Sequence, residues 1–345
     1  MEDKRFDIEQ MRHLAEKKLV EVGIENCDAK IVVDSMLEAD MNGVSTHGIR
    51  MLLPYIDKIE KNVFSKEKIS IVNSSPAFSV VDSKNAIGAL SASSCTEICI
   101  EKAKQYGVHT VFARNCNTLG PAFYYVEKMA AQDLIGFVCC NAPAAMPVFN
   151  GLETMLGTNP FAFAFPSATE GMIVMDMATS VVAKSRLSVA LANKESIPLG
   201  WALDAEGRPT TDPMEAIKGF VLPMAGFKGY GIALAIDLLS GFLSGSGYLN
   251  KVNKFYSQDG KGMNVGQMFV AFDPKQIYEN DFLVDMDSYI KTIRDSKAVE
   301  GRRVALPGDD RLAYKRESLQ YGILLADDTV KKLEYLFGEP LKRTN

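Results

Sequence analysis

Leu134-Ile-Gly-Phe-Val-Cys-Cys140 carries no charged residue and no proline. A strand with one wet face alternates apolar and polar side chains, whereas a strand buried on both faces reads as a continuous apolar run. The run therefore predicts a central strand covered on both sides. Outward from it, Val108–Ala113, Phe161–Phe165, Met172–Met175 and Val265–Phe272 read as further strands, with Ile69–Val72 and Phe78–Val81 as two short ones. Helices are predicted over 7–22, from Ala29 to Met41 behind a cap at Asn26 or Asp28, from Gly88 to Tyr106, from Pro121 to Gln132, from Lys228 to Leu249, from Glu279 to Lys297 and from Asp328 to Phe337. Residues 194–227, rich in Gly and Pro, read as a long ordered loop, and Leu306–Asp310 as a turn. The fold class is α/β with helical terminal parts, without the regular strand–helix alternation of stacked βαβ units and without an internal repeat.

The chain has 345 residues, enough for about two domains. Hydrophobic residues make up 47% and charged residues 23%, so a large core can be buried. The net charge of −5, with no basic block and no zinc-finger spacing, argues against nucleic acid as a partner. No apolar run of about 18 residues exists to span a membrane, and the start, Met-Glu-Asp-Lys-Arg-Phe6, has no apolar signal region. A cytoplasmic location is expected. The six cysteines form no CxxC pair and have no His at ligand spacing, so they read as free thiols in a reducing compartment. Cys116 is the one that falls inside a polar motif.

The stretch with most chemistry is Asp40 to Tyr55, which holds Ser45-Thr-His-Gly48 and Arg50. His47 is one of only three histidines. Read as a helix starting at Ser45 or Thr46 and kinked near Leu53 by Pro54, the segment would present backbone N–H groups and a favourable dipole to an anion beside His47. Imidazole suits proton transfer near neutral pH, and a guanidinium suits a carboxylate. Other candidate blocks are Gly157-Thr-Asn-Pro160, Asp176-Met-Ala-Thr-Ser180 at a strand end, Pro223 to Gly231 with Lys228 and Gly229 entering an apolar helix, and Pro307-Gly-Asp309. Each also has a plain structural explanation, as turn, cap or helix entry. No GxGxxG follows a strand and no Walker A sequence exists, so any nucleotide is held in another way.

Together these blocks resemble, in order and across nearly the whole chain, the type 2 malate/L-lactate dehydrogenase family, whose members include sulfolactate, ureidoglycolate, diketogulonate and piperideine-2-carboxylate enzymes. The resemblance rests on Asp40–Tyr55, Asn115–Tyr125, Gly157–Pro166, Asp176–Ala183, Ile197–Pro213, Gly226–Gly241 and Leu306–Asp309. It implies a non-Rossmann mixed-sheet fold, NAD or NADP as cofactor, a small carboxylic acid as substrate and a homodimer. It also implies a mainly helical, dimerising part at 1–75 and 285–345 and an α/β part at 76–284 that binds cofactor and substrate. His47 would be the proton donor and acceptor, oriented by Thr46 or Asp176; Thr46, Arg50 and Thr118 would meet the substrate. Thr158, Asn159, Asp176, Met177, Ala178, Thr179, Ser180, Lys228, Gly229, Pro307, Gly308 and Asp309 would meet the cofactor. No metal is implied.

Three departures from the family pattern stand out. Thr118 occupies the place of a second histidine, Arg50 lies one residue before the usual cation, where this chain has Met51, and Gln267 sits where relatives often have His. They point to an altered substrate, with reduction of a cyclic imino acid or a non-catalytic metabolite-binding role as the alternatives. Hydrolysis by Ser45 or Thr46 with His47 and Asp176 is disfavoured, because neighbours on a helix point about 100° apart.

Overall fold

The computed structural model describes residues 4–344. Seven strands build one mixed sheet: β1 (Ser70–Ser74), β2 (Phe78–Asp82), β3 (Val108–Cys116), β4 (Ile135–Cys140), β5 (Phe161–Phe165), β6 (Ile173–Met177) and β7 (Val265–Phe272). Their spatial order is β1-β2-β3-β7-β4-β5-β6. Only β2 and β3 run parallel, joined through α4 (Gly88–Tyr106); every other neighbouring pair is antiparallel. A Rossmann sheet is open and mostly parallel, so the missing glycine fingerprint and the topology agree.

The apolar run over 134–140 becomes β4, paired to β7 on one side and β5 on the other. One face meets α5 (Ala122–Ala130): a Cβ on Gly136 would lie 3.1 Å from Val126 Cα, so glycine lets this helix approach closely. On the other face Cys139 joins Met268, Val270 and Ile236 in an apolar cluster. Both faces are covered, which is why no polar alternation survives in the sequence.

The N-terminal helices are α1 (Ile8–Glu21), α2 (Asn26–Met41) and α3 (Leu52–Glu60). Asp7 starts α1 by accepting the Gln10 N–H at 2.8 Å. Further along come α6 (Lys184–Asn193), α7 (Pro213–Lys218), α8 (Phe227–Ile236), α9 (Phe282–Arg294), α10 (Asp309–Tyr321) and α11 (Asp327–Phe337). One apolar core links the terminal helices to the sheet, running from Leu19, Leu37 and Leu52 through Phe123 and Phe269 to Leu333. No helix among the described residues is long and apolar enough to cross a membrane.

Several expectations are corrected. No helix starts at Ser45: two 3-10 turns, Ser45–His47 and Ile49–Met51, are separated at Gly48, whose extended ψ of −165° breaks the chain there rather than at Leu53. Pro54 then sits in the first turn of α3, where its missing N–H costs nothing. The helix-dipole anion site beside His47 therefore does not exist. α2 begins after Glu25 without a side-chain cap. The apolar helix after Gly226 passes into a π-helical turn at Asp237–Phe242 and stops well before Leu249. The loop over 194–227 contains α7 and a small ribbon of Ala202–Leu203 with Phe220–Val221. α6 and α10 were not expected at all.

Candidate active site

The C-terminal ends of β4 and β6 and the N-terminal ends of β5 and β7 lie at the same edge of the sheet, because these neighbours are antiparallel. A cavity of about 1170 Å³ opens there. The wall includes Thr46 and His47 from the 3-10 turns, Thr118 beyond β3, Thr158 before β5, Asp176, Met177 and Ala178 at the end of β6, and Pro307 and Gly308 before α10. Segments far apart in sequence thus converge, as the ordered blocks imply.

His47 is held by its backbone, its N–H donating to Val44 O at 3.0 Å. Its ring is half-buried, and loss of surrounding water lowers its pKa to about 4, so the free site holds a neutral imidazole at pH 7. Among the described residues neither Thr46 nor Asp176 makes a hydrogen bond to it. Asp176 instead accepts the Phe123 N–H at 2.9 Å, capping the start of α5. Desolvation raises its pKa to about 6, against the pull of the Phe123 N–H and of Arg311. Cys116 is inert by comparison: it is buried with Ser83 Oγ 3.0 Å from its Sγ, and burial pushes the thiol up to about 12.

Other expected residues stand apart from this wall. Asn159 is buried and stitches two segments, accepting from Ala142 N–H at 3.0 Å and donating to Ala233 O at 2.8 Å. Thr179 donates to Thr158 O at 2.9 Å, and Ser180 to Val182 O at 2.8 Å. Asp309 closes its own turn through the Leu306 N–H at 2.9 Å. Lys228 is exposed on α8. Gly229 serves packing, since a Cβ there would meet Met224 O at 2.1 Å. Arg50 points into a second cavity behind the turn.

Two cations on the wall were missed. Arg311 belongs to α10; it is tied to Glu127 and to Asn42 Oδ1 (2.8 Å) and lies 4.2 Å over the Phe123 ring. Arg186, in the first turn of α6, is exposed and has no ion-pair partner among the described residues. The sequence signal for Arg186 was only its place six residues after Ser180.

The family model for malate/L-lactate dehydrogenase matches residues 6–334. The chain belongs to that family. L-sulfolactate dehydrogenase of Methanocaldococcus jannaschii is 38% identical over 311 residues, covering 88% of this chain and 90% of that protein. Ureidoglycolate dehydrogenase (NAD(+)) of Escherichia coli O157:H7 is 32% identical over 342 residues, covering 98% of this chain and 96% of its own length. The solved sulfolactate dehydrogenase from Methanocaldococcus jannaschii superposes with a TM-score of 0.91 at 33% identity, covering 97% of this chain and 98% of that one. The malate/L-lactate dehydrogenase-type mixed sheet is thus the fold of this protein, and the protein is an NAD(P)-dependent dehydrogenase. The dehydrogenase's cavity suits a dinucleotide. α6 begins on its wall without a side-chain cap and with Arg186 beside that start, which suits a phosphate; α10 also begins there uncapped, but with Asp309 and Asp310 in its first turn.

Proposed function

We propose that this dehydrogenase transfers a hydride between NAD(P)H and a small 2-oxo or 2-hydroxy carboxylic acid, with His47 as the proton donor and acceptor. The observation that carries the reading is the placement of His47, the only histidine on the wall among the described residues, in one cavity with Thr118, Asp176 and the uncapped helix starts. Arg186, Thr158, Met177, Ala178, Pro307 and Gly308 would hold the dinucleotide. Hydride exchange at the substrate's C2 is the chemistry the bound nicotinamide supplies. In oxidation, neutral His47 takes the hydroxyl proton; in reduction, protonated His47 gives a proton to the oxygen formed from the carbonyl. Thr46 and Thr118 offer hydroxyls to the substrate but no charge near pH 7. Sulfolactate and ureidoglycolate, the acids named for the relatives, are the first substrates to try, with malate and lactate beside them. Purified protein should oxidise NADH or NADPH with at least one corresponding 2-oxo acid. Turnover of a cyclic imino acid alone would move the substrate class, and failure with both cofactors across the panel would sink the reading.

The proposed setting is the cytoplasm, in line with six free cysteines, five of them buried. The proposed working form is a homodimer, and residues 76–284 are the proposed cofactor- and substrate-binding part. The helical parts at 1–75 and 285–345 frame it. The helical parts at 1–75 and 285–345 remain the proposed dimerising part; a second proposed contact is α8 together with the π-helical turn that follows it, a segment apolar on both sides. Its inner side is buried, while Phe227, Ile232, Leu238, Phe242 and Leu243 are exposed, the last two at 59% and 60%. A helix apolar all round belongs in an interior. The exposed Phe149 ring lies 5.2 Å from the Phe227 ring and extends this apolar surface. Having almost no charge, it can pair with its own copy across a two-fold axis. Leu243→Glu should convert a dimer to monomer in size-exclusion chromatography with light scattering. A monomeric wild-type protein, or a variant that stays dimeric, would argue against this face.

A further inference from the structure

Asp40, in the last turn of α2, is only 3% exposed. Its Oδ2 accepts the Ile49 N–H at 2.6 Å, and its backbone carbonyl accepts the Gly43 N–H at 3.0 Å. A Cβ on Gly48 would fall 1.9 Å from Asp40 Oδ1, so the glycine after His47 is required by this carboxyl. Residues 43–49 are thus pinned at both ends by one residue, with His47 between. On its far side Asp40 borders the second cavity, of about 510 Å³, together with Lys4, Arg50, Tyr314, Asp327 and Arg343. Lys4 is paired with Asp327 at 3.0 Å. Arg50 has no ion-pair partner within 4 Å among the described residues and acts on Asp40 through space. Gly43 and Ser45 border both cavities, so this wall separates the His47 side from the Arg50 side.

We propose that Asp40 is a positioning residue for the proton transfer: its carboxylate, with Arg50 as the facing charge, fixes the Gly48–Ile49 backbone and thereby the stance of the His47 imidazole. This rests on His47 being the acid/base group. It also gives Arg50 a task that its place outside the main cavity allows. An N–H bond to a carboxylate strengthens when the carboxylate is ionised. Burial raises Asp40 to about 7, while the Ile49 N–H and Arg50 pull it down, so the clamp tightens as pH rises through neutrality. Lys4, Tyr314, Arg343 and Asp327 around the second cavity, and His47 on the turn, are the other charged or titratable groups to allow for.

The test uses the full-length enzyme in the oxidation direction, where His47 works neutral. Asp40→Asn keeps the shape and removes the charge. It should lower kcat about 10- to 100-fold, as a displaced catalytic group does, leave dinucleotide affinity unchanged and abolish the rise in kcat between pH 6 and 8. Arg50→Gln, at an exposed position where folding is safe, should move that rise to higher pH. A readout free of turnover is available, because the chain has three histidines. In ¹⁵N-histidine spectra assigned with His47→Gln, Asp40→Asn should move the His47 resonances and leave those of His13 and His109 in place. Unchanged kcat together with superimposable His47 titrations would overturn the proposal, as would an unshifted pH profile in Arg50→Gln. Should wild type turn over no acid at all, the acid/base reading falls by itself, while unmoved His47 spectra in Asp40→Asn would remove the positional claim independently.

Discussion

His47→Ala is expected to lower kcat by roughly 10²- to 10⁴-fold, the usual worth of a positioned general acid or base, with dinucleotide binding held within about twofold. No second imidazole can substitute. Thr118 does not titrate in this range, and His109 is buried at the far end of β3, 3.0 Å from both Ser79 Oγ and the Pro76 carbonyl. The two directions should respond to pH differently. With a pKa near 4 in the free site, only about one ring in a thousand is protonated at pH 7. For reduction, the His47 contribution to kcat/KM should therefore rise about tenfold for each unit of acidification between pH 8 and 5, offset in part where Asp40 takes up its proton near neutrality. Oxidation needs the neutral ring and should show no loss from His47 until pH approaches 4. A bound acid anion raises the imidazole pKa, so kcat for reduction should be flatter than kcat/KM. A reduction kcat/KM that does not change over this range, or a His47→Ala enzyme with wild-type kcat, would remove His47 from the chemistry.

Burial on both faces writes itself into a strand as an unbroken apolar run, so β4 and its central place were legible. That several polar blocks share one site came from the family resemblance alone; the structure shows how, since antiparallel neighbours bring the starts of two strands to the ends of two others. The 3-10 turns at 45–51 were not legible, since their cause is tertiary: Gly48 is shaped by a carboxyl eight positions earlier that must reach the Ile49 N–H. α10 escaped notice because it has no apolar stripe. It is anchored by charge instead, through Arg311 to Glu127 and Lys315 to Glu38 at 2.7 Å. Asn159 and Lys228 show the opposite limit. Each sits in a block that matches a pattern, yet one is consumed by internal hydrogen bonds and the other faces outward. Sequence identity of a motif fixes where its backbone runs, but not which of its side chains reach the cavity.

Arg186→Gln is expected to raise the dissociation constant for NADH or NADPH about 10- to 100-fold, while Arg50→Gln leaves it unchanged. The magnitude follows from removing one charge-assisted bond, worth about 1.5–3 kcal/mol. The contrast follows from position. Arg186 stands in the first turn of α6, beside backbone N–H groups that no side chain caps, and on the wall of the large cavity. Arg50 lies behind the His47 turn, on the other cavity. An exposed arginine loses side-chain freedom when it binds, but a phosphate meeting both the guanidinium and the helix start is held by a planar fork and by aligned dipoles together. Arg311, already shared between Glu127 and Asn42, has less to give. Fluorescence titration of each variant with NADH and NADPH measures the effect without requiring a substrate, and raising the salt from 50 to 300 mM should weaken wild-type binding more than that of Arg186→Gln. Equal affinities in wild type and Arg186→Gln would place the dinucleotide phosphates elsewhere, with the start of α10 at Gly308 as the remaining uncapped helix on the wall.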